Sequence, residues 1–427
     1  MKIVRQGNGS EAASRCSVKQ ILNLCALALL TAFGIPLTAR SQTVAVEPYH
    51  IGAWYFTLWG QHADSSMQAL QAQAEYGGAP DPWGGVREYS QGAGIVPTNA
   101  PDFGTPTTYS GRKPLLGFYD LTSQDVVDRE IQEAASEGLE FFSFYWYADT
   151  QTGQENPVSS VIQNFFASTA NKNFKFVLAP IIVGSSPTMT LSTWESVIVP
   201  KLVSYIQSGS YYRLNGRPVV VAFTLPFMSS SDAESGYAYL RQAVARATGQ
   251  NPLIIQLLGG DNTWNDMTYQ RTTVQPDGFT CFGAPIQGTP EPYQQYAASF
   301  VPWMMSQLTS PNGSIDPTLL YVPCGSVGQD ARPWWQVGWG NWDYPTPASR
   351  PYNTGVSTSL WRQHLQQVKS LIDSQQFSTL NTVFLYAWNE WGESAQPIEP
   401  SLTLGYAYAD VVRQVFGLLP RGVKPLQ

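Results

Sequence analysis

The chain has 427 residues, of which 13% are charged and 13% are aromatic, and its formal net charge is −7. The charged fraction is about half of the usual share for a soluble globular protein. An acidic balance without any Lys/Arg-rich run argues against a nucleic-acid partner, because phosphate binding needs a basic patch. So many rings indicate either a large aromatic core or a groove that stacks on the C–H faces of sugars.

The N-terminus has the three-part pattern of a secretory signal peptide. Basic residues precede an apolar run at 21–37, and Ala39-Arg40-Ser41 offers a small-x-small cleavage pattern. A membrane anchor is the alternative, but the run is shorter than the roughly 20 residues that span a bilayer. We therefore expect a cleaved signal at 1–41, a single mature domain at 42–427, a secreted or periplasmic location and no stable membrane insertion.

Alternating strand and helix signals follow this leader. Runs rich in β-branched and aromatic residues predict eight strands, at 50–58, 139–146, 174–182, 218–223, 253–258, 278–282, 319–323 and 382–388. Apolar spacing predicts helices at 123–137, 158–168, 191–207, 231–248, 293–308, 359–374 and 406–416, with a weaker one near 262–269. This alternation favours an α/β fold, the (β/α)₈ TIM barrel, over an open sheet.

Two long connections are expected on the C-terminal face, which carries function in such barrels. A long insertion of about 60–122 follows strand one, and a loop at 325–356 follows strand seven. The second loop contains Trp334, Trp335, Trp339 and Trp342. A loop has little room to bury so much ring area, so we expect ligand platforms there, with Trp335 as a substrate contact.

The eighth predicted strand ends in the segment Trp388-Asn389-Glu390-Trp391-Gly392-Glu393. Two carboxylates beside indoles indicate one acid and one base, the pair that glycosidic cleavage requires. In a straight strand they would lie about 10 Å apart on opposite faces, so the chain must turn at Trp391-Gly392 for both to reach one sugar. Structural ion pairs are the alternative, although the chain is poor in cations. We predict that Glu390 and Glu393 are catalytic and that Asn389 and Trp391 contact the substrate.

Other candidate substrate contacts lie near the ends of strands one, two and eight. Trp54 and Tyr55 end strand one, His62 begins the insertion, and Tyr147 ends strand two. Glu399 is a third carboxylate on the last loop, and it either binds substrate hydroxyls or caps the helix that follows.

Metal and cofactor chemistry find little support in the sequence. Only three histidines are present, which argues against a His-based metal site. The chain contains no phosphate-binding loop, zinc-protease motif or serine-esterase motif, so we expect neither metal nor cofactor. Cys281 and Cys324 either pair or remain as buried thiols.

Four segments together resemble a known group of proteins. They are 113–120 (KPLLGFYD), 212–218 (YRLNGRP), 387–393 (AWNEWGE) and 398–400 (IEP). The last two are similar to the signature WNEWxEG…(I/L)EP, which joins the endo-α-mannosidases and endo-α-mannanases of glycoside hydrolase family 99 with the WbsX-like proteins of bacterial polysaccharide gene clusters. The resemblance extends in patches over roughly 50–415. Ser394 stands where the signature has Gly, and one extra residue lengthens the path to 398–400.

The resemblance implies a (β/α)₈ fold and retaining cleavage of α-mannosidic or similar bonds within a poly- or oligosaccharide. In these hydrolases one Glu removes the proton of the substrate's 2-hydroxyl, which attacks the anomeric carbon, while the other protonates the leaving oxygen. By motif, Glu390 would be the base and Glu393 the general acid and then base, with Tyr147 and Trp54 as sugar contacts.

Two alternative functions are a non-catalytic glycan-binding protein and a glycosyltransferase-like protein of polysaccharide assembly. The export signal argues against a transferase that uses a nucleotide-sugar. The presence of both Glu argues against a pure binder, because two carboxylates in an aromatic pocket are costly to bury.

Overall fold

The computed structural model describes residues 48–57, 59, 83, 86, 112–149, 152–155, 161–170, 172–183, 189–222, 230–258, 267–268, 270–271, 275–288, 290–333 and 351–417. Its strands are β1 (His50–Tyr55), β2 (Phe141–Asp149), β3 (Lys175–Val183), β4 (Arg213–Leu214), β5 (Arg217–Ala222), β6 (Leu253–Leu258), β7 (Gly278–Cys281), β8 (Glu291–Pro292), β9 (Leu320–Val322), β10 (Cys324–Ser326), β11 (Asn353–Thr354) and β12 (Thr382–Tyr386). The parallel strands of the main sheet fall on the eight predicted runs, except that β10 lies just beyond the seventh run at 319–323.

The helices alternate with these strands. They are α1 (Gln124–Ser136), α2 (Val161–Ala167), α3 (Leu191–Thr193), a π-helical turn (Trp194–Ile198), α4 (Val199–Ile206), α5 (Ser230–Thr248), α6 (Tyr293–Leu308), α7 (Thr358–Asp373) and α8 (Ala407–Val415). The seven stronger helix predictions are confirmed to within a few residues. The predicted helix at 191–207 is split by the π-helical turn.

The parallel strands follow one another in the order β10-β12-β1-β2-β3-β5-β6-β7-β9. β9 pairs with β7 and β10 pairs with β12, and only Pro323 separates β9 from β10. Proline has no N–H to donate to a ladder, so the seventh strand is interrupted at this residue. Its carbonyl still accepts a hydrogen bond from the backbone N–H of Phe384 at 3.0 Å. Because β9 and β10 are successive halves of one strand, the eight strands close into the predicted (β/α)₈ barrel.

Much of the aromatic content lies in the core. Eight tryptophans are among the largest fully buried side chains, namely Trp54, Trp59, Trp83, Trp146, Trp194, Trp361, Trp388 and Trp391. Close approach of β1 and β2 also depends on a missing side chain, because a Cβ on Gly52 would lie 2.0 Å from the ring of Phe141. Of the two explanations for the aromatic content, the described residues support a large aromatic core more than a ring-lined surface groove.

Cys281 and Cys324 form a disulfide, with their Cα atoms 5.5 Å apart. It joins the C-terminal end of β7 to the start of β10, where the seventh strand leaves β7 and pairs with β12. The question that the sequence left open is therefore resolved in favour of pairing.

Some predictions fall outside the described residues. These are most of the insertion at 60–122, the four tryptophans of the loop at 325–356, and most of the weak helix near 262–269. None of the helices in the described part of the chain is both long and apolar enough to span a membrane.

Candidate active site

The chain turns immediately after β12, as predicted. The carbonyl of Glu390 accepts hydrogen bonds from the backbone N–H of Glu393 at 3.2 Å and of Ser394 at 2.8 Å. This turn brings the side chains of Glu390 and Glu393 to the same cavity instead of to opposite faces of a strand.

The cavity has a volume of about 330 Å³. Its wall combines the two carboxyl groups with aromatic rings and one amide, and consists of Phe56, Tyr145, Tyr147, Phe282, Gln329, Ala331, Pro351, Tyr386, Glu390 and Glu393. The residues come from the C-terminal ends of the strands or the loops that follow, which is where ligands bind in this fold. Of the predicted site residues, the structure therefore brings Glu390, Glu393 and Tyr147 together.

Glu390 is 2% exposed, and its Oε2 has no hydrogen-bond partner among the described residues. Burial and the neighbouring charge of Glu393 raise the pKa of Glu390 well above its ordinary value, although a hydrogen bond with Tyr145 acts in the opposite direction. Two carboxyl groups this close titrate as a pair. Burial and the neighbouring charge therefore favour a proton on the pair.

Glu393 is partly exposed and receives a hydrogen bond at 2.8 Å from the hydroxyl of Tyr386 to its Oε2. Burial, followed by the charges of Glu393 and Glu390, raises the pKa of Tyr386 well above its ordinary value. Tyr386 thus remains a hydrogen-bond donor. The two carboxyl groups differ in environment. Glu390 is enclosed and has one oxygen without a hydrogen-bond partner, whereas Glu393 is more exposed to solvent and accepts a hydrogen bond from Tyr386.

Asn389 lies behind the cavity wall and not in the cavity. It is fully buried, its Oδ1 accepts from the backbone N–H of Phe56 at 2.7 Å, and its Nδ2 donates to the carbonyl of Phe56 at 3.0 Å. Its own carbonyl accepts from the indole N–H of Trp59 at 2.7 Å. The prediction of a substrate contact is corrected, because both ends of the Asn389 amide are hydrogen-bonded to the backbone of Phe56 and so join the segment after β1 to the segment after β12.

Trp391 and Glu399 are likewise placed behind the wall. The indole N–H of Trp391 donates to Oε2 of Glu399, which also accepts from the hydroxyl of Tyr119 at 2.9 Å. Both residues are at most 2% exposed, and the helix after them begins at Ala407 with Tyr406 as its N-cap. The expectations that Trp391 contacts sugar and that Glu399 binds sugar or caps a helix are therefore corrected.

Trp54 and Tyr55 point to opposite sides of β1, as consecutive strand residues do. Trp54 faces the barrel interior, where its ring lies 4.4 Å from Phe282 and stacks on Tyr145 at 5.7 Å. Trp54 thus packs against Tyr145 and Phe282, which line the cavity, but does not line the cavity itself. Tyr55 packs outward against Phe142, and the sugar contact predicted for it is corrected because the helix layer covers that face.

His62 and Trp335 lie outside the described residues, so their predicted roles stay predictions. Within the described part of the chain, no group of three or more His, Cys, Asp or Glu side chains is arranged to hold a metal ion.

The sequence reasoning missed the tyrosines that partner the two carboxyl groups. Tyr145 and Tyr147 share the inward face of β2, and Tyr386 shares the inward face of β12 with Phe384, which packs on Trp54. The alternation of side chains along a strand could have identified them. Every second residue of a barrel strand points inward, and the inward residues nearest the C-terminal end of the strand border the cavity.

A buried ionic cluster on the other side of the turn was also missed. Asp330 is bound at 2.8 Å by both Arg112 and Arg332. Although burial alone would raise it, the two guanidinium groups lower the pKa of Asp330 below its ordinary value. Arg112 also donates to the carbonyl of Trp391 at 3.3 Å, so this cluster holds the turn from its outer side.

The described strands thus form a (β/α)₈ barrel with a pair of carboxyl groups on a cavity after its last strand. The chain belongs to the family described as "Glycosyltransferase WbsX", which matches residues 105–412 and thus most of the chain. No curated protein matches the chain.

Two of the solved structures that are similar in fold illustrate the likeness. One is described as "Glycoside hydrolase-like protein", with 13% identity, a TM-score of 0.53, and coverage of 88% of this chain and 95% of the other. The second is the GH99 endo-alpha-mannosidase from Bacteroides thetaiotaomicron, with 15% identity, a TM-score of 0.50, and coverage of 86% and 96%. At these identities the likeness shows the fold alone.

Proposed function

We propose that this protein is a secreted glycoside hydrolase that cleaves α-mannoside-like bonds within a poly- or oligosaccharide with retention of configuration. The observation that carries this proposal is the turn that places Glu390 and Glu393 on one ring-lined cavity of about 330 Å³. Rings stack on the C–H faces of sugars, and paired carboxyl groups perform the proton transfers of glycosidic cleavage.

In the proposed reaction, Glu390 removes the proton of the substrate's 2-hydroxyl, and that oxygen attacks the anomeric carbon. Glu393 gives its proton to the leaving glycosidic oxygen as the bond breaks, which leaves a 1,2-anhydro sugar. Glu393 then takes a proton from water, which opens the three-membered ring at the anomeric carbon, and Glu390 returns the proton to O2. Two inversions at one carbon give net retention.

This reaction needs one proton on the carboxyl pair, on Glu393 when the sugar is bound. Burial and mutual repulsion raise the pKa of Glu390 and so oppose the loss of the last proton from the pair. The partnerless Oε2 of Glu390 is the atom to which a sugar hydroxyl would donate. That hydrogen bond favours the ionised form of Glu390 and shifts the proton to Glu393.

The family's description makes a glycosyltransferase the second candidate. A nucleotide-sugar donor carries a diphosphate, and the carboxyl groups of Glu390 and Glu393 on the cavity wall would repel it. The disulfide between Cys281 and Cys324 supports an oxidising compartment, in agreement with the leader at 1–41 and with a secreted or periplasmic location. A cytoplasmic transferase fits these observations less well than an exported hydrolase.

The test is a screen of the purified chain from Gln42 onward against α- and β-linked polysaccharides, with Glu390→Gln as the control. Product from the wild type alone supports the proposal and identifies the substrate class. Binding without product in both proteins contradicts it and favours the glycan-binding alternative.

The two roles are separated by a substrate with an activated leaving group, which needs no protonation. Glu393→Gln should cleave this substrate far better than the natural glycan, whereas Glu390→Gln should cleave neither. The reverse pattern would exchange the roles of the two residues.

A further inference from the structure

A second pair of carboxyl groups lies behind the active-site turn. Glu130 on α1 is fully buried, and its Oε2 accepts a hydrogen bond at 2.6 Å from the indole N–H of Trp388. Glu399 is 2% exposed, and its Oε2 accepts from Trp391 and from Tyr119. Neither residue lines the cavity, and the reaction proposed above does not use them.

The two carboxyl groups are neighbours, since each contributes to the pKa of the other. The Oε1 atoms of Glu130 and Glu399 are both buried and have no hydrogen-bond partner among the described residues. Two carboxylates cannot form a hydrogen bond, because both are acceptors only, whereas an acid and a carboxylate form a strong one.

The charges around the pair agree with one retained proton. Burial first, and then the charge of Glu133, raises the pKa of Glu130 to about 8. Burial, and then Glu130, raises the pKa of Glu399 well above its ordinary value. The phenols of Tyr55 and Tyr119 also face the pair, and burial keeps both protonated.

This pair is connected to every neighbour of Glu390 in the segment 388–391. Glu130 holds Trp388, and Glu399 holds Trp391. Tyr119 joins Glu399 to Asn389, because the amide of Asn389 donates to the Tyr119 hydroxyl at 3.5 Å. Glu390 is the one member of the segment whose side chain enters the cavity instead.

We propose that Glu130 and Glu399 share one proton and act as positioning residues, which hold the two indoles on either side of Glu390 and thereby set the direction in which Glu390 enters the cavity. An acid–carboxylate pair suits this task because it accepts from both indoles while its two members attract each other. The kinetic part of the proposal rests on the function proposed above, and the proton-sharing part does not.

The shared proton is tested without any substrate by infrared spectroscopy of the C=O stretch of buried carboxylic acids, with hydrogen–deuterium exchange to assign it. Glu390→Gln serves as the background, so that the active-site proton makes no contribution. A carboxylic acid band should be present in this background at neutral pH and absent from the double variant Glu390→Gln/Glu399→Gln. An unchanged spectrum in the double variant overturns the shared proton, whether or not the protein proves to be a hydrolase.

The positioning role is tested by kinetics of two variants at Glu399 on the glycan found in the screen. Glutamine keeps an acceptor for Trp391 and presents an N–H to Glu130, so Glu399→Gln should keep most of kcat. Leucine has similar size but no polar atom, and Glu399→Leu should lower kcat by about 10–100-fold with little change in KM, since small misplacements of a reacting group cost that much.

A matched control is present on the same helix layer. Glu137 is also fully buried, and it pairs with Arg413 at 3.3 Å, away from the active-site turn. Glu137→Gln should lower stability and leave kcat unchanged. If Glu399→Leu does not fold, Trp391→Phe removes the indole donor while keeping an aromatic ring, and it should show the same selective loss of kcat. Wild-type kcat in the folded variant, or an equal loss in Glu137→Gln, overturns the positioning role.

Discussion

Replacement of Asn389 by alanine should destabilise the protein far more than the loss of one amide suggests. The variant leaves the N–H and the carbonyl of Phe56 without the partners that they have at 2.7 and 3.0 Å, at a site that water does not reach. Each buried polar group left unsatisfied costs about 1–3 kcal/mol, so the free energy of unfolding should fall by about 2–6 kcal/mol.

Activity should fall as well, because Phe56 forms part of the cavity wall and the segment that carries it is fastened by Asn389. Asn389→Asp keeps the acceptor for the Phe56 N–H but turns a carboxylate oxygen toward the Phe56 carbonyl, so it should be no more stable than the alanine variant. Urea denaturation gives the stability, and initial rates on the glycan found in the screen give kcat.

The matched control is Asn164 on α2, whose amide donates to the carbonyls of Leu121 and Thr122 at 3.1 Å each. Asn164 is partly exposed, so water can replace the lost bonds. Asn164→Ala should therefore cost about 0.5–1.5 kcal/mol and leave kcat unchanged. The reasoning is refuted if the two alanine variants lose the same stability, or if Asn389→Ala keeps wild-type kcat.

Three further predictions concern protons and the disulfide. Burial raises the pKa of Glu130 from 4.5 to about 8, so the stability that its shared proton contributes is fully present below about pH 4.5 and declines as the pH rises to about 8. The free energy of unfolding should therefore fall with pH by at most about 1.4 kcal/mol per unit. This slope should be shallower in Glu399→Gln when unfolding is measured from pH 5 to 9. Tyr386→Phe removes the hydroxyl that donates to Glu393. It should lower kcat by roughly 10–100-fold in steady-state assays, as expected for the loss of a hydrogen bond to a charged group. An unchanged kcat would show that this hydrogen bond does not assist the reaction. Cys281→Ser opens a bridge that spans 43 residues and should lower the free energy of unfolding by about 4 kcal/mol in oxidised samples, with no difference from the wild type once both are reduced.

The barrel could be predicted from the sequence because each strand is a short run of buried β-branched and aromatic residues, and helical spacing separates the runs. The break at Pro323 was not predicted, although proline cannot donate to a ladder and lies at the end of the seventh run. The pairing of Cys281 with Cys324 could not be predicted, since it depends on how closely the ends of β7 and β10 approach each other.

The site was predicted in part. Glu390 and Glu393 were predicted to act together because two carboxylates at the end of an apolar strand are costly to bury, and both do line the cavity. Trp391, Asn389 and Glu399 were misinterpreted as substrate contacts, because a polar and aromatic motif has the same sequence whether its side chains face the cavity or the helix layer. After the chain leaves the strand, the alternation of faces ends, and only the turn decides which residue points inward.

The most direct test of the central claim is proton NMR of the products formed from an α-linked glycan by the wild type and by Glu390→Gln in parallel. The account predicts that the wild type alone releases a new reducing end, and that this end first appears in the same anomeric configuration as the bond that was cleaved. Release of the opposite anomer, or an equal rate in Glu390→Gln, would contradict retaining cleavage by the Glu390–Glu393 pair.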